Sequence, residues 1–109
     1  MPRDEIPPGT LYMMILKTLA CGREMHGFEI ANSIQRLSED VLRVEEGSLY
    51  PALQRMLVKG WVTAKWGTTG DNRRARYYRL TPAGRKQLEV ELSQFERVIG
   101  AIQRVIQTA

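Results

Sequence analysis

The sequence predicts a mainly α-helical domain of the α+β class, on three observations. Apolar residues recur every three or four positions in several separate segments, which is the spacing of amphipathic helices. Between residues 62 and 80 apolar and polar residues alternate instead, as they do in half-buried strands. A last segment repeats apolar residues at steps of four and three, the pattern of a helix that pairs with another helix. The 109 residues are ordinary for one domain and suffice for a modest core.

The chain begins with a proline-rich, polar segment over residues 1–9, which we interpret as a flexible, extended arm outside the core. Thr10 can cap a first helix that runs to about Ala20. The apolar residues of this helix wrap most of the way round it, so we expect burial on more than one side, against its own core and against a partner subunit. Met13 and Met14 are interpreted as core residues, although their thioethers could instead line a ligand pocket.

A second helix is predicted from about Gly27 to Leu37, after Gly22 has ended the first. His26 stands just before it and is the only histidine of the chain. A single histidine outside a cluster of ligand residues does not predict a metal site, so we interpret it as a structural or capping residue. A linker over residues 38–45 leads to the next helix, and no cofactor is predicted.

The third helix, predicted from Glu46 to Lys59, is the element around which we expect the fold to be organised. We expect Ser48 to be its N-cap, which places Pro51 at the third helical position, where a missing N–H breaks no helical hydrogen bond. Gly60 is expected to end the helix in a left-handed conformation. One face is apolar and contains Leu49, Leu53, Met56 and Leu57. The opposite face contains Ser48, Pro51, Gln54, Arg55 and Val58, with Tyr50 at its flank. Its hydroxyl, amide and guanidinium groups suit the major groove of DNA. The alternative is an ordinary amphipathic surface helix.

Two strands are predicted next, Val62–Trp66 and Ala75–Leu80, joined by a segment whose Gly, Asp and Asn residues favour turns. Three helices followed by a two-stranded hairpin form a winged helix-turn-helix, in which the third helix enters the major groove. The two adjacent arginines at the hairpin end, Arg73 and Arg74, suit a wing that contacts phosphates or enters a narrow minor groove.

The aromatic residues around the hairpin have two interpretations. Trp61 and Trp66 either stack on bases or a ligand, or pack at the base of the hairpin, and we expect packing. Tyr78 and Leu80 are expected in the core.

The last helix is predicted to open at Thr81-Pro82 and to run to about Thr108. At about 1.5 Å per residue it would be about 40 Å long, which exceeds the width of so small a core. Its apolar seam therefore predicts a long C-terminal dimerisation helix, with a helix lying back on its own domain as the alternative. The seam contains Leu88, Leu92, Phe95, Ile99, Ile102 and Ile106.

The formal net charge of the chain is +4, but its basic residues are concentrated. The segment from Arg55 to Lys86 contains nine Lys and Arg residues and a single acidic residue, Asp71, for a net charge of +8. This asymmetry predicts a surface for a polyanion, with a solvated basic face that has no partner as the alternative.

Other classes of protein are not indicated. No apolar run of about 20 residues predicts a membrane span, and the start of the chain lacks a signal-peptide pattern. Cys21 is the only cysteine and is interpreted as a small buried residue of a reduced, cytoplasmic protein. No Ser–His–acid set, metal cluster or phosphate-binding loop predicts an enzyme.

Four segments taken together resemble the PadR family of bacterial transcriptional regulators. They are HGFEI from His26, EGSLYPALQRML from Glu46, KGWV from Lys59 and RRARYYRLTPAGR from Arg73, and the resemblance covers most of residues 10–86. It implies a winged helix-turn-helix domain over residues 10–80 that binds double-stranded operator DNA as a homodimer. Residues 81–109 resemble the members whose C-terminal part is a single dimerisation helix.

The resemblance also implies roles for particular residues. Ser48, Tyr50, Pro51 and Gln54 match the recognition-helix motif of the family. Its basic wing is matched by Arg73, Arg74 and Arg76. Members often sense phenolic or drug-like molecules near the dimer interface, so a small hydrophobic or aromatic effector is implied without any residue that identifies it.

The sequence hypothesis is therefore a homodimeric DNA-binding repressor. Gln54 is the best candidate for base readout, because glutamine pairs bidentately with adenine, and Arg55 is expected to contact guanine or phosphate. The alternative is a winged-helix module that binds a small molecule or a protein without specific DNA binding.

Overall fold

The computed structural model describes residues 4–5 and 9–108, and over that range it contains four helices and five strands. The helices are α1 (Leu11–Leu19), α2 (Gly27–Leu37), α3 (Glu46–Val58) and α4 (Pro82–Gln107). The strands are β1 (Asp4–Glu5), β2 (Met25–His26), β3 (Leu42–Arg43), β4 (Val62–Thr68) and β5 (Arg74–Leu80). The predicted α+β fold, a winged helix-turn-helix with a long last helix, is confirmed.

The hairpin is part of a three-stranded antiparallel sheet in the order β2-β5-β4. Val62 pairs with Leu80 at its base, and Thr68 pairs with Arg74 at its far end. The sequence analysis missed β2, in which Met25 pairs with Tyr78, because two residues are too few to show an alternation. A separate parallel pair joins β1 to β3. Of the arm predicted over residues 1–9, positions 1–3 and 6–8 lie outside the described residues.

The core lies where the first three helices meet the base of the hairpin and the start of α4. Its most deeply buried side chains come from α1, α2, α3 and β4. They are Ile15, Leu16, Leu19, Ile30, Leu49, Leu53, Met56 and Val62. Met13 is buried and Met14 packs against this cluster, so both methionines contribute to the core of their own chain. Tyr78 and Leu80 are buried, as expected.

Cys21 is exposed, so its interpretation as a buried residue was wrong. It follows the last residues of α1, where Gly22, at a φ of 87°, turns the chain away from the helix. The residue therefore lies in a surface turn and not on the apolar face of α1.

The predicted N-cap of α3 was also wrong. The helix begins at Glu46 with Glu45 as its N-cap, and the carbonyl oxygen of Glu45 accepts from the backbone N–H groups of Ser48 at 3.0 Å and Leu49 at 2.9 Å. Ser48 therefore lies inside the first turn, and Pro51 is an internal helical residue. The apolar pattern, which starts at Leu49, gave no sign of the extra turn because Glu46 and Gly47 are exposed.

The C-terminal end of α3 is the one predicted. Gly60 has a φ of 75°. Its N–H donates to the carbonyl oxygen of Leu57 at 3.1 Å, and the N–H of Trp61 donates to the carbonyl oxygen of Met56 at 3.0 Å. These two hydrogen bonds form a Schellman motif, which turns the chain from α3 directly into β4.

Thr81 caps α4 as predicted, since its hydroxyl oxygen accepts from the N–H of Gly84 at 3.0 Å. The same hydroxyl donates to the carbonyl oxygen of Gly60 at 2.6 Å, which fixes the start of α4 to the end of α3. Gly84 is required there because a Cβ at this position would collide with the carbonyl oxygen of Trp61. Of the helices within residues 9–108, none is both long and apolar enough to cross a membrane.

Candidate nucleic-acid interface

The outward face of α3 is the first part of the candidate site. All of the residues predicted to face away from the core are exposed, namely Ser48, Tyr50, Pro51, Gln54, Arg55 and Val58. The opposite face is anchored by buried Leu49, Leu53 and Met56. The helix is therefore held by one side and presents hydroxyl, amide and guanidinium groups on the other.

The N-terminal half of α3 lies close against the start of α2. A Cβ at Gly27 would be 2.8 Å from the ring of Tyr50, so the glycine permits the close approach of these two elements. The start of α2 is itself fixed by His26, whose Nδ1 accepts from the N–H of Glu29 at 3.4 Å, while the Glu29 carboxylate accepts from the N–H of His26 at 3.1 Å. This reciprocal cap agrees with the interpretation of His26 as a capping residue.

The C-terminal flank of α3 carries two cations that contact aromatic side chains. Arg55 donates from Nη1 to the hydroxyl of Tyr12 at 3.3 Å. The Tyr12 ring meets Trp61 edge to face with 6.0 Å between the ring centroids, and the ammonium of Lys59 lies 5.1 Å from the Trp61 ring. Trp61 is half-buried and packs against the core, as expected. Tyr12 was missed, since its partner Arg55 is 43 positions away and no local pattern links them.

The two faces of the hairpin differ in their electrostatics. On one face, the carboxylate of Glu24 forms ion pairs with Lys65 at 3.4 Å and with Arg79 at 3.8 Å. Glu24 was not predicted, because it precedes β2 and meets these residues only once β2, β5 and β4 have paired. This face of the hairpin is thus partly neutralised.

The other face carries Trp66 with Arg74 and Arg76. The Arg74 guanidinium lies 4.8 Å from the Trp66 ring centroid, and that of Arg76 lies 5.7 Å from it. Trp66 is 58% exposed, so the expectation that it packs at the base of the hairpin was wrong. It pairs with Arg76 two residues beyond the pair of Ala64 with buried Tyr78, which places it past the edge of the core.

The three arginines of the wing have no acidic partner in the described structure. Among the side chains of residues 9–108, no carboxylate forms an ion pair with Arg73, Arg74 or Arg76. The Nε of Arg76 is covered and, within the same range, has no hydrogen-bond acceptor. The positive charge of this face is therefore available to an external anion.

The exposed end of the hairpin is a tight turn. The N–H of Thr69 donates to the carbonyl oxygen of Arg73 at 2.8 Å, and Asn72 adopts a φ of 62°, a conformation that asparagine tolerates well. Both strands continue further than predicted, to Thr68 and from Arg74, so the wing is a longer paired ribbon.

Tyr78 is a buried residue of β5. Burial raises the pKa of its phenol, the Arg76 guanidinium lowers it, and Tyr50 raises it. Since Tyr50 belongs to α3 and Arg76 to the wing, both elements act on one buried residue.

A second exposed surface is the far half of α4. Leu88 is buried and Leu92 packs against the core, but the later seam residues are increasingly uncovered. Phe95, Ile102 and Ile106 are 38%, 47% and 74% exposed, and Ile99 is half-buried. Among the described residues, no group of three or more His, Cys, Asp or Glu side chains could hold a metal ion.

Comparison with known proteins agrees with this geometry. A transcriptional regulator from Mycobacterium tuberculosis is 35% identical over 79 residues, which cover 72% of this chain and 70% of that protein. The structure of a transcriptional regulator from Clostridium thermocellum has a TM-score of 0.82 at 26% identity, covering 91% of this chain and 95% of that one. A PadR family transcriptional regulator from Eggerthella lenta has a TM-score of 0.76 at 25% identity, covering 93% and 85%.

These similar proteins are transcriptional regulators and not enzymes, as the sequence predicts for this chain. The family model described as the transcriptional regulator PadR-like family matches residues 15–90. Because this match spans more than half of the chain, the protein belongs to the PadR-like family of transcriptional regulators.

Proposed function

We propose that the protein is a homodimeric repressor that binds operator DNA through α3 and the arginine face of the wing. The observation that carries the proposal is the contrast between the two faces of the hairpin. Glu24 partly neutralises one face, whereas the arginines of the other have no carboxylate partner among the described residues. Free positive charge beside an exposed polar helix suits a duplex, whose phosphates dominate affinity and whose major groove admits a helix.

We assign different tasks to the residues of α3. Gln54 is exposed in the middle of the outward face, so it is the candidate for base readout by bidentate pairing with adenine. Arg55 is turned towards Tyr12 and lies near Lys59 at the end of the helix, which favours a contact with a phosphate over one with guanine. Ser48, Tyr50 and Pro51 would lie closest to the groove at the start of the helix.

The dimer is the second part of the proposal. The exposed apolar seam of α4 supports it, because a helix end that the other described residues leave uncovered is typical of a subunit interface. A two-fold pair of recognition helices would then read two related half-sites. Any small hydrophobic or aromatic effector would act at a pocket that the second subunit completes, since the far half of α4 is uncovered.

The test is fluorescence anisotropy of the full chain on a duplex of its own upstream region, against a scrambled duplex, over a salt series. We expect tight, sequence-dependent binding by the wild type. The Arg74→Ala/Arg76→Ala variant should bind both duplexes more weakly. Each lost phosphate contact reduces the slope of log K against log salt by about 0.9, so the slope should fall by about 2 for one subunit and by about 4 for both subunits of a dimer.

The matched control is Lys65→Ala/Arg79→Ala, which removes two charges from the opposite face of the same hairpin. We expect it to retain most of the wild-type salt slope. Equal losses in both double variants would contradict a specific role for the arginine face. Weak, equal binding of the wild type to both duplexes would favour the module that does not bind DNA specifically.

A further inference from the structure

Trp66 is a large aromatic residue in a place where the core does not need it. It lies beyond the last pair of buried residues in the hairpin and is 58% exposed. Its burial therefore contributes little to stability, and its contacts with the wing arginines need a separate explanation.

One indole ring contacts two guanidinium groups. The distances of 4.8 Å to Arg74 and 5.7 Å to Arg76 both lie within the range of about 6 Å for a cation–π interaction. Arg74 and Arg76 are two positions apart in β5, so their side chains leave the strand on the same face as Trp66.

The arrangement carries costs that the ring must offset. Two like charges are held beside each other without a carboxylate between them, and they repel. The Nε of Arg76 is covered and lacks an acceptor among the described residues, which is unfavourable for a polar group. Without the ring, both long side chains would be free to separate and to become solvated.

We propose that Trp66 is a positioning residue that orders Arg74 and Arg76 before DNA binds. Holding the two side chains in advance removes part of the entropy that each would lose on contact with a phosphate. Stacking uses the flat face of a guanidinium and leaves N–H groups at its edge for phosphate oxygens. This inference rests on the proposed function for its consequence, whereas the stack itself belongs to the free protein.

The opposite face of the hairpin shows why an aromatic ring suits this task. There, Glu24 holds Lys65 and Arg79, but its negative charge also cancels part of theirs. A ring holds a cation without neutralising it. The Trp66 face is therefore ordered and remains fully charged, which a carboxylate in place of Trp66 would not achieve.

The first experiment is a double-mutant cycle on the full chain, with operator affinity measured by fluorescence anisotropy. Trp66→Leu is introduced into the wild type and into the Arg74→Ala/Arg76→Ala background. We expect a loss of about fivefold to tenfold in the wild type, within the range of exposed cation–π pairs, and no loss in the background without the arginines. Trp66→Phe, which keeps an aromatic face, should restore most of the affinity.

Two outcomes of the cycle would overturn the proposal. An equal loss in both backgrounds would mean that Trp66 contacts DNA itself. No loss in the wild type would mean that the arginines do not depend on the ring.

The second experiment needs no DNA and tests the stack alone. In NMR spectra of the free wild type, the Nε–H signals of Arg74 and Arg76 should be shifted by the indole ring current, and Trp66→Leu should return them to ordinary positions. Unshifted signals in the wild type would overturn the stack. If the signals are shifted but the wild type binds no duplex specifically, the proposed function fails while the stack stands. If the leucine variant does not fold, Trp66→Val, which also removes the ring and suits a strand, replaces it in both experiments.

Discussion

At the scale of single residues, the role of each arginine is set by the group beside it. Arg79 is paired with a carboxylate, Arg55 is tied to a phenol, and Arg74 is stacked on an indole. The charge is the same in all three, but its availability to a phosphate is not. The sequence shows the number of arginines on the wing, and only the pairing of distant strands shows which of them are free.

Tyr78 provides a residue-scale test of the junction between the helix and the wing. Burial raises the pKa of its phenol, so the unfolded chain releases this proton at a lower pH than the folded one. The contribution of Tyr78 to stability is therefore complete below its ordinary value of 10.0 and is lost as the pH rises through the raised pKa.

We expect the free energy of unfolding to fall more steeply above about pH 10 in the wild type than in Tyr78→Phe. Arg76→Ala should steepen the fall further, because the Arg76 guanidinium lowers the pKa of Tyr78. Urea unfolding followed by circular dichroism at several pH values measures both effects. An identical pH dependence in wild type and Tyr78→Phe would show that the phenol is not disfavoured as an anion in the fold.

At the scale of elements, the boundaries that depend on local chemistry could be predicted and those that depend on distant partners could not. The range Gly27–Leu37 and the Thr81 cap were both correct, since cap residue and periodicity lie together in the sequence. The strand β2 was missed because it exists only through its pairing with β5.

The start of α3 failed for a related reason. Ser48 is a favourable cap when considered alone, but one more turn begins at Glu46, with the Glu45 carbonyl as acceptor. In the candidate site, the exposed face of α3 could be predicted from periodicity. The positions of Glu24, Tyr12 and the Trp66 ring relative to the arginines required the register of the hairpin.

The corrected start of α3 leads to an element-scale prediction for Pro51. Inside the helix a proline leaves the carbonyl of the residue four positions earlier, here Gly47, without its helical donor. Pro51→Ala should therefore stabilise the fold by about 1 kcal/mol, after the greater freedom of the unfolded alanine chain is subtracted.

The matched control is Pro82→Ala in the first turn of α4, where proline loses no hydrogen bond. We expect this variant to be neutral or slightly less stable in urea unfolding. A destabilised Pro51→Ala variant would instead show that Pro51 packs favourably enough to outweigh the missing hydrogen bond.

At the scale of the whole molecule, the chain has a compact part and an extension. The principal extents are 57 × 36 × 22 Å, and α4, with 26 residues, accounts for about 39 Å at about 1.5 Å per residue. Its first turns are covered by the core, whereas Val105 and Ile106 near its end are about three-quarters exposed. An isolated subunit would expose these side chains to water, which is the physical reason to expect a second copy.

We expect the wild type to sediment as a dimer at micromolar concentration, and Ile102→Glu to sediment as a monomer, because the substitution would bury a charge in the seam. The same variant should lose operator affinity by at least about 100-fold, since two half-sites would no longer be bound by one linked pair of subunits. Ser93→Glu is the control, because it adds the same charge at an exposed position roughly opposite the seam.

Sedimentation and anisotropy together separate the possible results. If Ile102→Glu is monomeric and the control is dimeric and binds the operator, the seam joins the subunits and the dimer carries the DNA affinity. If Ile102→Glu stays dimeric, α4 is not the interface, and its exposed apolar residues need another cover. A monomeric wild type that still binds one half-site would place recognition in the single subunit, and the two-fold arrangement of α3 helices would have to be abandoned.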